Sequence, residues 1–375
     1  MIDNKSIAVI IKAYNEEKQI GMVIDSIPDW VDRVIVVNDG SQDDTSKIVE
    51  SYIDNFRKDD NLFQIPNNFK PIVEETLYNK ADIIFKRQRE QEENYYPNSV
   101  IYNNSDTDKI VLINQENNGA GAAVLTGYKW ARDHAIDCTV VVDGDGQMDP
   151  SEMYGLVSPI LFENVDYTKG NRLAHPASKV VIPEIRYFGN NVLSLLTKIS
   201  SGYWSVSDTQ TGYTAISLRA LSKLELYSIY YKYGYPNDIL VKLNVADCII
   251  KEIPIKPVYN VGEKSKMKVL KVIPSVSLLL LKDFIYRINN KYLINSFHPL
   301  FLLYWVGVLI GMIDLPILIK ILVDVIVKNG SVTIGWYFTW LVFTLFSFQS
   351  ICFGMWMDIQ DNLRLYKKDE DSNKY

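Results

Sequence analysis

Two aspartates directly follow an apolar segment that has the composition of a buried β-strand. Val140-Val-Val142 leads into Asp143-Gly-Asp145-Gly-Gln147. Two carboxylates at the end of one strand lie at the same edge of a sheet, and glycine keeps the turn between them tight. Hard oxygen ligands of this kind suit Mg²⁺ or Mn²⁺ bound together with substrate phosphates. Acidic pairs also occur in solvated turns, but Asp39 follows a second strand-like segment, so we predict a metal site that includes Asp143 and Asp145.

A segment of small residues, Asn117 to Ala123, lies between a strand-like and a helix-like segment. Small residues at a helix N-terminus allow the backbone to approach a phosphate or a ribose. The same residues also occur where a helix packs closely against its neighbour, so both interpretations stay open. The sequence has no phosphate-binding loop of the G-x-x-x-x-G-K-[ST] type. Its three histidines and three cysteines are too scattered for a zinc site, a disulfide framework or a His-dependent nucleophile.

Strand-like and helix-like segments alternate through the first 260 residues. Such alternation predicts an α/β fold with a mostly parallel sheet and helices on both faces. In these sheets the ligand binds at the carboxyl ends of the strands, where the acidic turns lie. The predicted strands are Ser6–Ile11, Arg33–Val37, Lys109–Ile113 and Cys138–Val142.

Residues 57–108 interrupt this alternation. The segment is polar, it contains the charge-dense tract Lys86–Glu93, and only Val73–Glu93 has a helix-like pattern. We interpret it as an insertion between the second and third predicted strands, because a long polar segment inside a compact domain is usually an accessory surface feature.

Two long apolar segments occupy the C-terminal part of the chain. Pro299 to Leu322 carries two charged residues, and Val332 to Met357 carries none. Each exceeds the ~20 residues that cross a bilayer, and tryptophan is concentrated here, as is typical of membrane interfaces. A buried core helix is the alternative explanation. We predict a two-helix transmembrane hairpin over residues 297–358, which could also join copies into a homo-oligomer, and a polar cytoplasmic tail over residues 359–375.

Basic residues are concentrated just before these apolar segments. Residues 264–291 contain seven lysines and arginines and one aspartate. Because cationic segments stay on the cytoplasmic side, we expect a multi-pass protein of the cell membrane whose N-terminal domain faces the cytoplasm. Ile273 to Tyr292 fits an amphipathic helix lying on anionic lipid, although the same pattern fits a helix packed on the N-terminal domain. The formal net charge of −6 provides no basic excess for binding nucleic acid.

Short polar motifs stand at the ends of the predicted strands and in the region that follows them. They are Ala13-Tyr-Asn-Glu-Glu17, Val36-Val-Asn-Asp-Gly-Ser41, Asn117-x-Gly119-x-Gly121, Asp143-x-Asp145-Gly-Gln147, Lys169-Gly-Asn-Arg172, Ile185-Arg-Tyr-Phe-Gly-Asn190 and Asp208-Thr-Gln-Thr-Gly-Tyr213. This ordered set resembles the inverting family 2 glycosyltransferases of GT-A fold, and its later motifs resemble the branch that acts on dolichyl or polyprenyl phosphate. The resemblance implies a GT-A domain over residues 1–262, followed by an acceptor loop and an interfacial helix over residues 263–296.

The resemblance also implies a role for each motif. Tyr14 and Glu16 would hold the base and ribose of a nucleotide sugar, and Asp39 would hydrogen-bond the base. The ligands of Mg²⁺ or Mn²⁺ would be Asp143, Asp145 and Gln147, with Asp145 the main one. The other nucleotide-sugar-binding positions would be Lys12, Ala13, Val37, Asn117, Gly119 and Gly144.

The resemblance implies a polyisoprenyl phosphate as the acceptor. Arg172 and Arg186 would receive acceptor or leaving-group phosphates, since a guanidinium binds two phosphate oxygens at once. Such an acceptor is already anionic near neutral pH and attacks without a strong base. A hydroxyl on a lipid-linked glycan is the alternative acceptor and requires a base, for which Asp238 is the first candidate and Asp208 the second. The other acceptor-phosphate positions would be Asn190, Lys264 and Lys266.

Two positions depart from the family's pattern. Lys12 stands where proline is usual, and Ala120 stands where many relatives have lysine. Neither departure removes a catalytic group. We therefore expect a membrane-bound glycosyltransferase that moves one sugar from a UDP- or GDP-linked donor to dolichyl or undecaprenyl phosphate. A catalytically silent membrane adaptor is the non-enzyme alternative, and the intact acidic and basic motifs argue against it.

Overall fold

The computed structural model of the chain describes residues 1–56, 76, 78–81, 83–84, 91–103, 108–178, 184–258, 269–327 and 332–368. Within these residues, eight strands form a single sheet. The strands are β1 (Ile7–Ala13), β2 (Arg33–Asp39), β3 (Ser99–Ile101), β4 (Ile110–Gln115), β5 (Cys138–Asp143), β6 (Tyr167–Asn171), β7 (Thr214–Ser217) and β8 (Ile250–Pro254).

The spatial order of the strands is β3-β4-β2-β1-β5-β7-β6-β8. The four central strands β4, β2, β1 and β5 are mutually parallel, and they are the four strands that the sequence predicts. β7 runs antiparallel to β5 and β6, while β8 is parallel to β6. The mostly parallel α/β sheet is therefore confirmed, with a mixed half that the sequence did not predict.

The central strands are apolar at successive positions because both faces of the sheet are covered. Ile10 and Val141 belong to a buried cluster on one face, and Ile11 and Val140 belong to the cluster on the other face. Continuous runs of β-branched residues are typical of parallel strands buried on both sides. The helices of the described chain are α1 (Ile20–Asp25), α2 (Thr45–Phe56), α3 (Ala120–Asp133), α4 (Met153–Phe162), α5 (Glu184–Ser201), α6 (Leu218–Lys223), α7 (Tyr235–Val245), α8 (Val269–Asn289), α9 (Pro299–Val327) and α10 (Ile334–Asn362).

The predicted insertion contributes one element to the sheet. β3 pairs antiparallel with β4 at the sheet edge, and all three of its residues are exposed. Most of the predicted helix over Val73–Glu93 lies outside the described residues. Where the structure describes the insertion, it is thus partly an extension of the sheet and not only a surface loop.

The helix predicted over Ile273–Tyr292 begins earlier, at Val269, and a π-helical turn over Asn290–Asn295 follows it. One face of α8 packs on α5 and α7 of the N-terminal domain and buries Val276 and Leu280. The opposite face exposes Leu278, Leu281 and Ile285. Packing on the N-terminal domain is therefore confirmed for one face of this helix, and contact of the opposite face with lipid stays a prediction.

Two helices of the described chain are long and apolar enough to cross a membrane. They are α9 and the segment Ile334–Leu365, which contains α10. In the most apolar part of each, only 17% and 11% of the residues are buried, so these are not core helices of a soluble domain. The helices pack against each other as an antiparallel pair, and both extend beyond the predicted spans. The turn of the predicted hairpin includes residues 328–331, which lie outside the described residues.

The residues after α10 return to the sheet. Tyr366 forms a parallel bridge with Ile250 of β8, Lys367 donates its backbone N–H to the Ile250 carbonyl at 2.9 Å, and Leu365 is buried in the core. The predicted polar tail is therefore wrong for these positions, because apolar and aromatic side chains at 365 and 366 cover the end of β8. Residues 369–375 lie outside the described part of the chain.

Candidate active site

A cleft of about 790 Å³ opens at the carboxyl ends of β1, β2 and β5. This is the edge at which ligands bind in parallel sheets. Most of the residues predicted from the sequence to form a site line it together. Those residues are Lys12, Ala13, Tyr14, Glu16, Asp39, Asn117, Gly119, Asp143, Gly144, Asp145, Gln147, Arg172 and Asn190.

The ends of β1 and β5 place a cation beside the first aspartate. Lys12 and Asp143 are paired across the two parallel strands, and the Lys12 Nζ–Asp143 Oδ1 distance is 2.7 Å. The same ammonium lies 5.4 Å from the centre of the Tyr235 ring. Burial opposes the charge on this lysine, but Asp143 and Tyr235 outweigh it and raise the pKa of Lys12 above its usual range. Lys12 is therefore protonated at neutral pH.

Asp145 lies on the turn that follows β5. Its Oδ1 accepts a hydrogen bond from the backbone N–H of Gln147 at 3.0 Å, which fixes the side chain across the tight turn. Burial and the neighbouring charge of Asp143 raise the pKa of Asp145 to about 7. A cation bound nearby would lower this pKa and favour the ionised carboxylate.

Asp39, at the end of β2, holds the loop that precedes α3. Its two carboxylate oxygens accept hydrogen bonds from the backbone N–H groups of Asn118 and Gly119 at 3.0 and 2.9 Å, and from the Gln115 side chain at 2.7 Å. The carboxylate thus stabilises the N-terminus of a helix by a contact of the capping type. Asp39 is 4% exposed and lines the cleft. Its predicted contact with a nucleotide base stays a prediction.

The small residues at the start of α3 serve close packing. A Cβ on Gly121 would lie 2.5 Å from the carbonyl oxygen of Tyr231, and the Ala122 N–H donates to that same oxygen at 3.0 Å. Gly119 has a φ of +101°, which favours glycine. Of the two interpretations left open by the sequence, the packing one describes Gly121, while Gly119 and Ala120 also face the cleft.

The turn after β1 is held by the turn after β2. Asn15 adopts a φ of +54°, its N–H donates to the Ser41 hydroxyl at 3.0 Å, and its side-chain oxygen accepts from the Gln42 N–H at 2.8 Å. The Glu16 N–H donates to the Thr45 hydroxyl at 2.9 Å. These contacts fix the wall of the cleft that carries Tyr14 and Glu16.

Arg172 enters the cleft from the end of β6, and Asp208 directs it. The guanidinium contacts the carboxylate through Nε–Oδ2 at 2.8 Å and Nη2–Oδ1 at 3.1 Å. Asp208 is completely buried, and although burial opposes its charge, Arg172 lowers the pKa of this carboxyl below its usual value. Asp208 therefore orients Arg172 and does not itself line the cleft.

The cleft also reaches the helix that precedes the apolar hairpin. Asn190 and Leu193 of α5 and Val276 of α8 line this part of the cleft. Arg186 lies on α5, but its side chain is not among the parts that the structure describes. Lys264 and Lys266 lie outside the described residues. Their predicted contacts with an acceptor phosphate therefore stay predictions.

Besides Asp208, two predicted site residues with described side chains do not line the cleft. Val37 is fully buried in the core of the sheet. Asp238, the first candidate for a base, is 2% exposed and accepts a hydrogen bond from the Tyr230 N–H at 2.6 Å. Its carboxyl also bonds to Asp283 of α8, so the Asp238 side chain faces α8 and not the cleft. This position corrects the expectation that Asp238 lies near the reacting atoms.

Several cleft residues had no prediction from the sequence. Gln210 lies within the motif Asp208–Tyr213, and Tyr235 lies three residues before the candidate base Asp238, so both positions carried a signal. Glu152 and Lys256 are 104 residues apart and are joined by a 3.0 Å hydrogen bond from the Lys256 N–H, a contact that no local pattern indicates. Lys256 also lies 3.6 Å from Asp149.

The sequence profile named Glycosyl transferase family 2 matches residues 8–71 and 93–224, which include the ends of β1, β2 and β5 and the arginine of the cleft. The chain belongs to glycosyl transferase family 2. It is therefore a glycosyltransferase, and the cleft is the candidate site of transfer. This result confirms the resemblance that the ordered motifs indicated.

Named relatives share most of this domain. The UDP-N-acetylglucosamine–dolichyl-phosphate N-acetylglucosaminyltransferase of Methanococcus voltae is 30% identical over 259 residues, which cover 68% of this chain and 87% of that one. A dolichyl-phosphate beta-glucosyltransferase of Trichomonas vaginalis is 24% identical over 76% of this chain and 74% of its own. The undecaprenyl-phosphate mannosyltransferase of Micrococcus luteus is 27% identical over 42% and 64%.

A solved structure with a similar arrangement is that of glucosyl-3-phosphoglycerate synthase from Mycobacterium tuberculosis in complex with Mn²⁺, UDP and glucosyl-3-phosphoglycerate. It has a TM-score of 0.44 and 19% identity, and the alignment covers 76% of this chain and 80% of the synthase.

Proposed function

We propose that the protein transfers one sugar from a nucleotide sugar to a polyisoprenyl phosphate at the cytoplasmic face of a membrane. The observation that carries this proposal is that one cleft is lined both by Asp145, at the end of β5, and by Val276, on α8. The acidic end suits a metal and a nucleoside diphosphate, while the other end opens beside the helix that leads to the apolar hairpin. A substrate with a phosphate and a long apolar chain fits that geometry.

The surface of α8 supports a lipid acceptor. Leu278, Leu281 and Ile285 are 56%, 57% and 42% exposed, on the face opposite the one packed on the domain. Exposed leucines on a helix beside two membrane-length helices are typical of an interfacial helix. The cleft therefore lies at headgroup depth, where the phosphate of a polyisoprenyl lipid would be found.

The return of the chain after α10 supports the orientation. The bridge between Tyr366 and Ile250 places the end of α10 on the same side as the sheet. Two spans bring the chain back to the side from which it started, so one side of the membrane holds both the domain and the C-terminal residues. The basic residues that precede the first apolar helix support the cytoplasm as that side.

The donor set at the end of β5 fits a divalent metal. Asp145, Asp143 and the amide of Gln147 offer oxygen atoms, which Mg²⁺ and Mn²⁺ prefer. Among the residues that the structure describes, no group of three His, Cys, Asp or Glu side chains is arranged to hold a metal. The site therefore needs phosphate oxygens of the donor to complete it. A bound metal would supply charge stabilisation for the leaving nucleoside diphosphate.

The chain's own residues act mainly by position and charge. Arg172, held by Asp208, presents its guanidinium to a phosphate in the cleft. Lys12 and Lys256 add positive charge to the same walls. A phosphate oxygen needs no general base, since it is already anionic, and the candidate base Asp238 lies outside the cleft. Electrostatic stabilisation and alignment of acceptor and donor are therefore sufficient for the reaction.

The test is a transfer assay with the purified full chain in detergent. It would use a short-chain polyprenyl phosphate and a panel of labelled UDP- and GDP-sugars, each with Mn²⁺ or Mg²⁺. We expect one donor to transfer its label to the polyprenyl phosphate. Absence of transfer from every donor would contradict the proposal, and label found only on a lipid-linked glycan would favour a hydroxyl acceptor.

A matched pair of arginine variants makes the assay specific. Arg172→Gln should reduce transfer by about one to two decades, because a charge-assisted contact is worth ~1.5–3 kcal/mol. Arg219→Gln removes a guanidinium that pairs with Asp166 at 2.6 Å, away from the cleft, and should leave transfer unchanged. Equal effects of the two variants on transfer would contradict a contact between Arg172 and the substrate phosphate.

Orientation has its own measurement. Protease added to sealed inside-out vesicles should remove the N-terminal domain, and right-side-out vesicles should protect it. The reverse pattern would refute the cytoplasmic assignment without affecting the proposed reaction.

A further inference from the structure

Lys12 and Asp143 form an ion pair in the wall of the candidate site. Both residues stand at the ends of neighbouring parallel strands, in register, and their side chains lie on the same face of the sheet. The register makes this contact a fixed property of the fold, since sliding one strand by a residue would turn its side chains to the other face.

Other contacts hold the two strand ends in this arrangement. The Gly144 N–H donates to the Lys12 carbonyl oxygen at 3.0 Å, which ties the turn after β5 to the end of β1. Tyr235 of α7 covers the ammonium from the other side, with 5.4 Å between Nζ and the ring centre. A Cβ added to Gly212 would lie 3.6 Å from the same Nζ. The lysine head group is thus enclosed by protein on several sides.

This arrangement affects the two carboxylates differently. Asp143 shares its charge with an ammonium 2.7 Å away. Asp145 accepts a backbone hydrogen bond from Gln147, and no cationic side chain of the described residues lies within ion-pair distance of it. A divalent cation approaching Asp143 would displace the ammonium or lie close to a like charge, and both are unfavourable in a partly dehydrated cleft.

We propose that Lys12 is a built-in counter-ion of Asp143 that keeps the metal affinity of the nucleotide-free enzyme low, so that the divalent metal enters together with the nucleoside diphosphate. The inference rests on the metal site of the proposed function and adds an order of binding to it. With Asp143 committed to Lys12, Asp145 is the principal protein ligand, and the diphosphate supplies further oxygens.

Mn²⁺ binding to the full chain in detergent tests this directly, with free Mn²⁺ followed by electron paramagnetic resonance. We expect Lys12→Met to bind Mn²⁺ at least about tenfold more tightly than the wild type without nucleotide, because an opposing charge is removed. Lys12→Arg, which keeps the charge, should stay within about twofold of the wild type. An unchanged or weaker affinity in Lys12→Met would overturn the proposal.

Lys256→Met is the matched control for charge alone. Lys256 lines the same cleft but pairs with Asp149 and not with Asp143. Its removal should change Mn²⁺ affinity by less than about twofold, since only the lysine that contacts Asp143 competes for that carboxylate. A gain equal to that of Lys12→Met would assign the effect to general charge and contradict the specific pair.

A second variant keeps the test decisive if Lys12→Met fails to fold, which its melting temperature would reveal. Lys12→Gln removes the same charge but keeps a polar side chain, and it should also bind Mn²⁺ at least about tenfold more tightly than the wild type without nucleotide. Adding Asp143→Asn to Lys12→Gln should abolish that gain, because the released carboxylate is then absent. An affinity of Lys12→Gln equal to that of the wild type would overturn the proposal.

Adding UDP or GDP completes the experiment. One of these nucleotides should raise the Mn²⁺ affinity of the wild type by more than about tenfold, and should raise that of Lys12→Met by less, since its site is already available. Equal gains in the two proteins would contradict the order of binding. These measurements need neither sugar nor lipid, so the proposed transfer can fail in its own assay while this inference stands, or the reverse.

Discussion

Arg172 and Asp208 form a two-point contact at the wall of the cleft, with one partner facing the cavity and the other completely buried. The Nε–Oδ2 and Nη2–Oδ1 distances are 2.8 and 3.1 Å, and the Arg172 N–H also donates to Oδ2 at 3.1 Å. Asp208 is in turn anchored, because its own N–H donates to Glu252 at 3.0 Å. The planar geometry of a carboxylate and a guanidinium fixes the direction in which Arg172 points.

The first prediction concerns this positioning. Asp208→Asn should reduce transfer by about one to two decades, because the amide cannot accept both guanidinium contacts and Arg172 loses its direction. The acceptor KM should rise more than kcat falls, since the chemistry itself does not use Asp208. Steady-state kinetics with varied polyprenyl phosphate would measure the two separately.

Asp166→Asn provides the control for burial. Asp166 is equally enclosed, pairs with Arg219 at 2.6 Å and accepts from the Ile249 N–H, but it is remote from the cleft. Asp166→Asn should lower the melting temperature without raising the acceptor KM. If both variants raise the KM alike, the effect of Asp208 is one of stability only.

The second prediction concerns Asp145. Asp145→Asn should abolish transfer while leaving the melting temperature within a few degrees of the wild type, because it removes a charge and no core volume. Circular dichroism and the transfer assay would be run on one preparation, with Asp133→Asn as the surface control. Normal activity in this variant, or full activity in excess chelator, would refute the metal assignment.

The third prediction concerns the carboxyl pair between α7 and α8. Burial and the neighbouring charge of Asp238 raise the pKa of Asp283 to about 8, whereas the ordinary value is 3.8. The folded protein therefore holds a proton that the unfolded chain loses, so this contribution to stability is complete below about pH 4 and is lost as the pH rises to about 8. Lys242 and Lys282 face the pair and act in the opposite direction.

We expect the melting temperature to fall between pH 6.5 and pH 8.5. The free energy of unfolding should decrease by at most about 1.4 kcal/mol per pH unit, which is the value for one proton. Asp283→Asn should flatten that part of the profile. Asp145, whose pKa is raised to about 7, titrates at the lower end, so the comparison is sharpest above pH 7.5. If the melting temperature of Asp283→Asn falls with pH as steeply as that of the wild type, the Asp283 carboxyl does not cause the pH dependence.

The sequence predicted the central strands and their acidic ends because both are local. Apolar β-branched runs identify β1, β2, β4 and β5, and the turn residues after Asp39 and Asp143 have strong conformational preferences. The edge of the sheet at which these carboxylates meet follows from parallel pairing alone. The metal and nucleotide contacts of these residues depend on ligands and stay predictions.

The sequence could not predict contacts that depend on register or on packing between distant elements. Lys12 faces Asp143 only because β1 and β5 pair in one particular register. Asp238 turns away from the cleft because α8 packs on α7 and brings Asp283 to it. Tyr366 pairs with β8, which is an edge strand of the sheet. The mostly polar composition of the predicted tail does not indicate this contact.

The last prediction concerns the joint between the domain and the hairpin. Arg287 of α8 and Asp358 of α10 are both completely buried, with 2.6 Å between Nη1 and Oδ1. Arg287 also donates to the carbonyl oxygens of Ser200 and Ile199 at the end of α5, at 2.7 and 3.0 Å. One guanidinium therefore links the transferase domain, α8 and α10.

Removing one partner of this pair should be worse than removing both. Arg287→Met leaves the Asp358 carboxylate buried with neutral partners, the side chains of Tyr292, Trp204 and Asn362, and should cost about 3–5 kcal/mol of unfolding free energy. In Arg287→Met with Asp358→Leu no buried charge stays unpaired, so the double variant should be the more stable of the two. Thermal unfolding in detergent would rank them, with the exposed pair Lys47→Met and Asp44→Asn expected to leave the melting temperature unchanged. A double variant less stable than Arg287→Met would mean that the ion pair itself, and not the avoidance of an unpaired charge, holds the joint together.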